Sequence, residues 1–403
     1  MRYSNLSFRI FLGFICFCFS NNTHSQCYTS AQFSLGNVGS DIAYDIVDAG
    51  NNEAFIVGTT NSYGAGGFDI LVTKLNSARE TIWSRTFGAG KDESIRKANK
   101  TLDGGLILIG QTKSSSNASG DILCLKINSN GSLAWSKKMG VGSTYGDLGM
   151  DIIQTMDGGY ALVGILNVHG NIADLVVTRL DQNANILWSK RFDSDQGEDG
   201  VGLIQKEDTL VVTGDLDNKV SNYSGCIMSL KLSDGTFIKT KKFKPGTRGL
   251  FNPYIFKGNS DGYWINGHII DGDSYAKMQP VIMKLDVNFN ITKTYAIIVP
   301  GIFTNNFFTG FAPMKDGFLT CASSQANPTG YLFYVKENDI ITLSKKFSGN
   351  NERTLNRLAH LNNKIMAVGR DNSSNLDDFF ITEFGEDGSI DSKCHPDTAL
   401  VTV

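Results

Sequence analysis

The stretch Asp157-Gly158-Gly159-Tyr160-Ala161-Leu162-Val163-Gly164 returns, little changed, as Asp103-Gly104-Gly105-Leu106-Ile107-Leu108-Ile109-Gly110. In both, a turn dipeptide launches an apolar run of strand length that ends on glycine. The run is apolar almost without a break, so a strand made from it has both faces buried. Weaker copies start at Asn52, Asp208, Asp261, Asp316 and Asn363, which makes seven in all.

Two further landmarks keep step with the first. Ile82-Trp83-Ser84-Arg85-Thr86-Phe87-Gly88 matches Ala134-Trp135-Ser136-Lys137-Lys138-Met139-Gly140 and Ile186-Leu187-Trp188-Ser189-Lys190-Arg191-Phe192, with the tryptophans at steps of 52 and 53. Later copies put Lys239, Lys293, Leu343 and Ser392 in the tryptophan slot. Between these lie runs opened by aspartate at Asp69, Asp121, Asp174 and Asp378. A fixed period of about 50 residues is the signature of a repeat architecture.

Each copy holds four short strand-length runs. Asp-Gly at 103, 157, 261 and 316 joins the first to the second, and Asn130-Gly131, Asp234-Gly235 and Asp387-Gly388 join the third to the fourth. Such dipeptides favour type I′ hairpins. Four-stranded antiparallel units repeated about an axis give an all-β fold, here a seven-bladed β-propeller. Gln32-Phe33-Ser34-Leu35-Gly36 resembles the end of a unit yet precedes the first, so this N-terminal strand is expected to close the ring on the last blade. The rival architecture, an open β-solenoid, is usually built from shorter repeats.

Met1 to Ser25 reads as a signal peptide over residues 1–25, with Arg2 and Arg9 before an apolar run from Ile10 to Phe19 that is too short to span a bilayer. A rival reading makes Cys27 a lipidated first residue, although His24-Ser25-Gln26 is a poor signal for it. The expected organisation is signal peptide 1–25, propeller 27–395 and a short C-terminal tail 396–403. A secreted, periplasmic or cell-surface, monomeric protein without a membrane span is anticipated. The whole chain has 37 basic and 40 acidic residues, 43 glycines and 7 prolines. That balance excludes a basic nucleic-acid binder and a disordered acidic chain. Of the cysteines beyond the signal, Cys124, Cys226 and Cys321 sit in apolar runs as small hydrophobes, while Cys27 and Cys394 bracket the repeats and are candidates for a disulfide at the seam.

The repeats resemble the Asp-Gly-Gly-Tyr / Trp-Ser-Lys-x-Phe-Gly β-propeller repeats of secreted Bacteroidota-type bacterial proteins, over about residues 31 to 394. Gly131 to Trp135 also looks like the tryptophan-docking motif of quinoprotein propellers. Those enzymes carry eight blades, adjacent bonded cysteines and a calcium-bound quinone. This chain has seven repeats, no adjacent cysteines and tryptophan in three slots, so the resemblance does not carry the enzymatic activity over. The non-catalytic relatives imply an interaction or scaffold module.

Binding residues concentrate in variable loops on a rigid scaffold. In a blade of this type the second-to-third and fourth-to-first connections share one face, and there the connections from Thr59, Gln111, Asp215, His268, Ser323 and Arg370 are long and unalike. The expected ligand-binding region is this long-loop face near Tyr63, Tyr223, Asp271 and Tyr275, with a protein or a glycan as partner. Asp193-Ser194-Asp195-Gln196-Gly197-Glu198-Asp199 offers Asp193, Asp195 and Asp199 as calcium ligands. Against that, Asp199 aligns with Asp41, Asp92 and Asp147 as a turn cap, and no other cofactor is indicated. Trp83, Trp135 and Trp188 read as blade-to-blade packing rather than sugar platforms. No nucleophile or metalloprotease motif occurs. Carboxylates assembled from different blades keep a carbohydrate-active enzyme as the alternative, and a structural unit of a larger surface protein is a third reading.

Overall fold

The structure is a computed structural model that describes residues 32–35, 39–114, 119–142, 145–169, 172–193, 197–216, 224–243, 249–258, 262–270, 278–296, 306–314, 316–324, 329–336, 341–347, 353–362, 364–371 and 377–385. The signal peptide, Cys27, Cys394 and residues 396–403 lie outside them.

Each blade is antiparallel, and a single parallel bridge between Thr329 and Arg353 links the sheets of the last two. Blade 1 is β2 (Asp41–Gly50), β3 (Glu53–Thr60), β4 (Asp69–Leu75) and β5 (Thr81–Phe87). Blade 2 is β6 (Glu93–Lys100), β7 (Leu106–Thr112), β8 (Asp121–Ile127) and β9 (Leu133–Met139). Blade 3 is β10 (Leu148–Gln154), β11 (Tyr160–His169), β12 (Ile172–Leu180) and β13 (Ile186–Phe192). Blade 4 is β14 (Glu198–Lys206), β15 (Thr209–Leu216), β16 (Ser224–Lys231) and β17 (Phe237–Phe243). Blade 5 is β18 (Gly249–Lys257), β19 (Tyr263–Ile270), β20 (Met278–Leu285) and β21 (Ile291–Ala296). Blade 6 is β22 (Asn306–Met314), β23 (Gly317–Ser324), β24 (Thr329–Lys336) and β25 (Ile341–Phe347).

Blade 7 takes three strands from its own repeat, β26 (Arg353–Leu361), β27 (Lys364–Asp371) and β28 (Asp378–Gly385). Its fourth is β1 (Gln32–Leu35), antiparallel to β28 with Gln32 opposite Thr382 and Leu35 opposite Phe379. The N-terminal strand therefore closes the ring. It fills the outer position that the repeat count assigned to the region of Ser392, a residue outside those described.

The core is not central. It is divided into seven apolar clusters, each shared by two neighbouring blades. In β7, Leu106 and Leu108 face the cluster with blade 1, while Ile107 and Ile109 face the cluster with blade 3. In β11, Tyr160 and Leu162 face blade 2, and Ala161 and Val163 face blade 4. Both sides of each second strand are thus covered, which is why those runs show no polar alternation. The seventh cluster sets Ala43, Ile46 and Leu71 against Leu361, Val368 and Phe379, joining the last blade to the first. Each fully buried Leu, Ile or Phe contributes about 1.5–3 kcal/mol, and no sheet could collect that alone.

The hairpins differ from the expected type I′. In the loops after Thr101 and Thr155, only Gly104 (φ 76°) and Gly158 (φ 87°) have positive φ; Asp103 and Asp157 do not. Gly104 N–H bonds to the Thr101 carbonyl at 2.9 Å, so a type I turn is completed by a left-handed glycine. Three positive-φ residues in succession, Gly50, Asn51 and Asn52 (88°, 54° and 63°), occur instead at the two-residue connection between β2 and β3. The Asp-Gly pair by itself does not decide the turn. The aspartates neutralise buried cations instead. Asp103 pairs with buried Lys126 (2.9 Å), and Asp157 pairs with buried Arg179 (2.5 Å).

Candidate functional site

The innermost strand of every blade carries a bulge, for example between Ala43 and Asp45 or Gly149 and Asp151. The first residue of regular pairing after each bulge is, in blade order, Asp45, Lys97, Asp151, Gly202, Tyr254, Gly310 and Arg357. Bulges re-aim side chains. Here they set a charged layer across the middle of the ring.

Lys97 Nζ lies 3.3 Å from Asp45 Oδ2, and Arg357 Nε lies 3.9 Å from Asp45 Oδ1. The Arg357 guanidinium sits 5.3 Å from the centre of the Tyr254 ring. Tyr254 belongs to blade 5 and Arg357 to blade 7, and blades that are not neighbours can meet only at the axis. Asp45 also accepts the Ala98 N–H (2.8 Å), and Asp151 accepts the Leu203 N–H (3.0 Å), each from the next blade. Burial pushes the Asp151 pKa up against the pull of Lys97 and two backbone N–H groups, and the Asp45 charge adds to the rise. Burial opposes the charge on Arg357 as well, but Asp45 and Tyr254 outweigh it and raise its pKa. Two carboxylates face two cations, so the layer balances itself and ties blades together across the axis. No repeated motif marks the layer in the order of residues, because seven different local contexts fill one structural slot. The only hint was a lone charge inside an apolar inner strand, as in Ile42-Ala43-Tyr44-Asp45-Ile46-Val47.

A second set of carboxylates lies beneath the long-loop face, between blades. Asp69, which opens β4, and Glu93, which opens β6, are 1% and 2% exposed. A Cβ added to Gly88 would collide with Asp69 Oδ1 and come within 2.8 Å of Glu93 Oε2, so one glycine packs on both acids. Asp69 accepts the Ala65 N–H (2.5 Å), as expected for an aspartate capping its preceding loop. Glu93 accepts the Ala89 N–H (2.9 Å) and the Thr112 hydroxyl (2.6 Å). Burial, with the Glu93 charge adding to it against the Ala65 N–H, raises the Asp69 pKa to about 6. A small cavity of about 90 Å³ borders Glu93, Thr112 and Lys138. The same design returns one blade on: Gly140 packs on Asp121 and Asp147, and burial raises the Asp147 pKa.

The registers also correct one alignment. Asp41, Glu93 and Glu198 pair with Thr60, Thr112 and Leu216, and Asp147 precedes Leu148 in the same slot. Glu198, not Asp199, is therefore the counterpart of Asp41 and Asp147, and Glu93 rather than Asp92 fills the slot in blade 2. The connections entering the inner strands differ in length, five residues before Glu93 and before Glu198 but seven before Asp147, so the carboxylates do not fall at a fixed spacing from the preceding strand. Asp92 still caps, accepting the Phe68 N–H at 3.1 Å.

Of the proposed calcium ligands, Asp193 pairs with Arg191 (2.9 Å), Asp199 stands opposite Asp215 in the β14–β15 ladder, and Asp195 lies outside the described residues. No group of three or more Asp, Glu, His or Cys suited to a metal occurs among the described residues. Tyr63 is half-buried in the connection between β3 and β4, whereas Tyr223, Asp271 and Tyr275 lie outside the described residues. Cys124, Cys226 and Cys321 are buried free thiols. The tryptophans pack between blades: Trp83 Nε1 donates to the Ser129 carbonyl (3.3 Å), Trp188 Nε1 donates to that of Leu232 (2.9 Å), and Trp135 meets Tyr160 edge-on at 5.3 Å.

Seven antiparallel blades, the last closed by the N-terminal strand, define the class as a seven-bladed β-propeller. No family model and no curated protein matches the sequence. Among solved structures, the chain is similar to an ulvan lyase of polysaccharide lyase family PL25, at 11% identity and a TM-score of 0.57, over 88% of this chain and 96% of that one. It is also similar to the β-propeller domain of the Trilobed protease from Pyrococcus furiosus (11% identity, TM-score 0.49, 86% and 98% covered). At such identities the likeness extends to the fold alone. No helix among the described residues is long and apolar enough to cross a membrane.

Proposed function

We propose that this chain is a secreted, non-enzymatic β-propeller that binds a protein or a glycan on its long-loop face. The observation that carries the reading is the contrast between the two faces. Connections on one face are hairpins of two to five residues. On the other, the second-to-third connections range from two residues (170–171) to eight (61–68 and 113–120). A uniform face serves the ring, and a variable one on a rigid support serves recognition. Purified protein should capture a ligand from a glycan array or an extracellular protein fraction, and grafting a two-residue turn in place of 217–223 should abolish capture while leaving Tm unchanged. Capture that survives replacement of every long connection would refute it.

Secretion and the seam disulfide belong to the same proposal. β1 and β28 are antiparallel, so the chain before Gln32 and the chain after Gly385 leave from one end of the pair. That favours a Cys27–Cys394 bond, and mass spectrometry of unreduced peptides tests it. The Asp69–Glu93 pair, drawn from separate blades, is what favours the alternative of a carbohydrate-active enzyme. Both acids are, however, buried and held by backbone N–H groups under Gly88. An enzyme would show polysaccharide cleavage lost in Glu93→Gln.

A further inference from the structure

The outer strands of six blades, β5, β9, β13, β17, β21 and β25, hold eleven Lys and Arg and not one Asp or Glu. The chain as a whole has more acidic than basic residues. Positive charge has therefore been sorted to the circumference. The registers put it at one height. Lys138, Arg191 and Lys242 stand opposite Leu123, Val176 and Cys226, which in turn pair with Gly110, Gly164 and Gly214, the same slot in three successive blades. Lys137, Lys190 and Lys241 form the next row down. Lys138, Lys190, Lys239 and Lys242 are exposed. Lys138 rests on the Ser114 carbonyl (3.2 Å) and Lys241 on the Asn290 side chain (2.6 Å), both neutral acceptors, while Arg191 holds Asp174.

Outer strands are open sheet edges, and charge, especially lysine, protects such edges from pairing with other chains. Edge protection requires charge but not a single sign at a single height. We infer that the rim of blades 2 to 4 is a docking surface for a linear acidic polysaccharide, one bearing carboxylate or sulfate groups at short intervals. Charge complementarity carries the choice of partner. An anionic bilayer is less suited, because the hairpins that begin β13 and β17 present Asp181 and Asp234 beside exposed Leu187 and Phe237. A membrane approaching the apolar ends would meet those carboxylates first. A chain laid across the strands meets the lysine rows, with Asp193 beside Arg191 as the neighbouring carboxylate. This surface lies on the outer strands and meets the long-loop face only at Lys138, whose partner Ser114 belongs to the 113–120 connection.

The test is binding of the full chain to polygalacturonate and to heparin, with dextran as the neutral control and phosphatidylglycerol vesicles as the membrane control. Binding to at least one polyanion should weaken steeply with salt, since charged partners release counterions. The variant Lys138→Gln/Lys190→Gln/Lys239→Gln/Lys242→Gln, which spares Arg191, should bind about tenfold or more weakly with a shallower salt dependence, while replacement of the 217–223 connection, which leaves Ser114 in place, should leave binding as before. Retention no better than on dextran, unchanged affinity in the variant, or binding to the vesicles alone would overturn the inference. So would a variant whose only change is self-association in light scattering, because the lysines would then be serving edge protection.

Discussion

Asp69 shows how a single buried residue couples the ring to pH. In the unfolded chain its carboxyl ionises near 3.8, and in the folded ring near 6. Between those values the folded state binds the extra proton, so stability falls as pH rises from about 4 to 6 and stays lower above that range. Asp69→Asn should flatten this part of the profile and raise Tm at pH 8 by about 2 °C or more, measured by thermal unfolding across pH. An unchanged profile would show that Asp69 does not carry this pH dependence. Gly131 is a second such residue. Its φ is 84°, and a Cβ there would lie 2.9 Å from the Trp83 ring. Gly131→Ala should cost about 1–3 kcal/mol in chemical denaturation and be non-additive with Trp83→Ala. The glycine of the repeat is there so that the preceding blade's tryptophan can lie against the hairpin.

At the scale of elements, the seam between blades 7 and 1 depends on β1 and on Glu383. Glu383 of β28 receives Arg79 at 2.6 Å from the blade 1 hairpin and Lys364 from β27. All three pair within one mostly buried cluster, so Glu383→Gln leaves two cations short of a partner and should cost about 3 kcal/mol. Deleting residues 26–36 should do something different: it bares the edge of β28, and concentration-dependent association in light scattering is the expected result. These features were unevenly legible. The strand Gln32–Leu35 was recognisable because it copies the end of a repeat. The Arg79–Glu383 pair was not, since the partners are about 300 positions apart and neither belongs to a repeated motif. The Asp-Gly pairs at 103 and 157 mark their hairpins but not the turn type, because the dipeptide does not show how the flanking strands set the ends of the loop. The alternating burial of β7 and β11 between two clusters was implied by their unbroken apolar runs.

For the whole molecule, stability resides between blades. Removing one blade exposes two apolar faces, so a six-repeat deletion lacking 198–248 should aggregate rather than close into a smaller ring, and unfolding of the intact chain should be a single cooperative transition by calorimetry. The amino-acid sequence alone determined the number of units, their four-strand composition, the closing strand and the face on which connections vary. All of these are periodic or local, and a period survives in one dimension. Only the tertiary structure decided that Asp45, Lys97, Asp151, Tyr254 and Arg357 share an axial layer, that Asp69 meets Glu93, and that basic residues of separate blades stand at one height. Closing a ring brings together positions a whole repeat or more apart, and their contacts depend on bulges and registers that leave no mark in the order of residues.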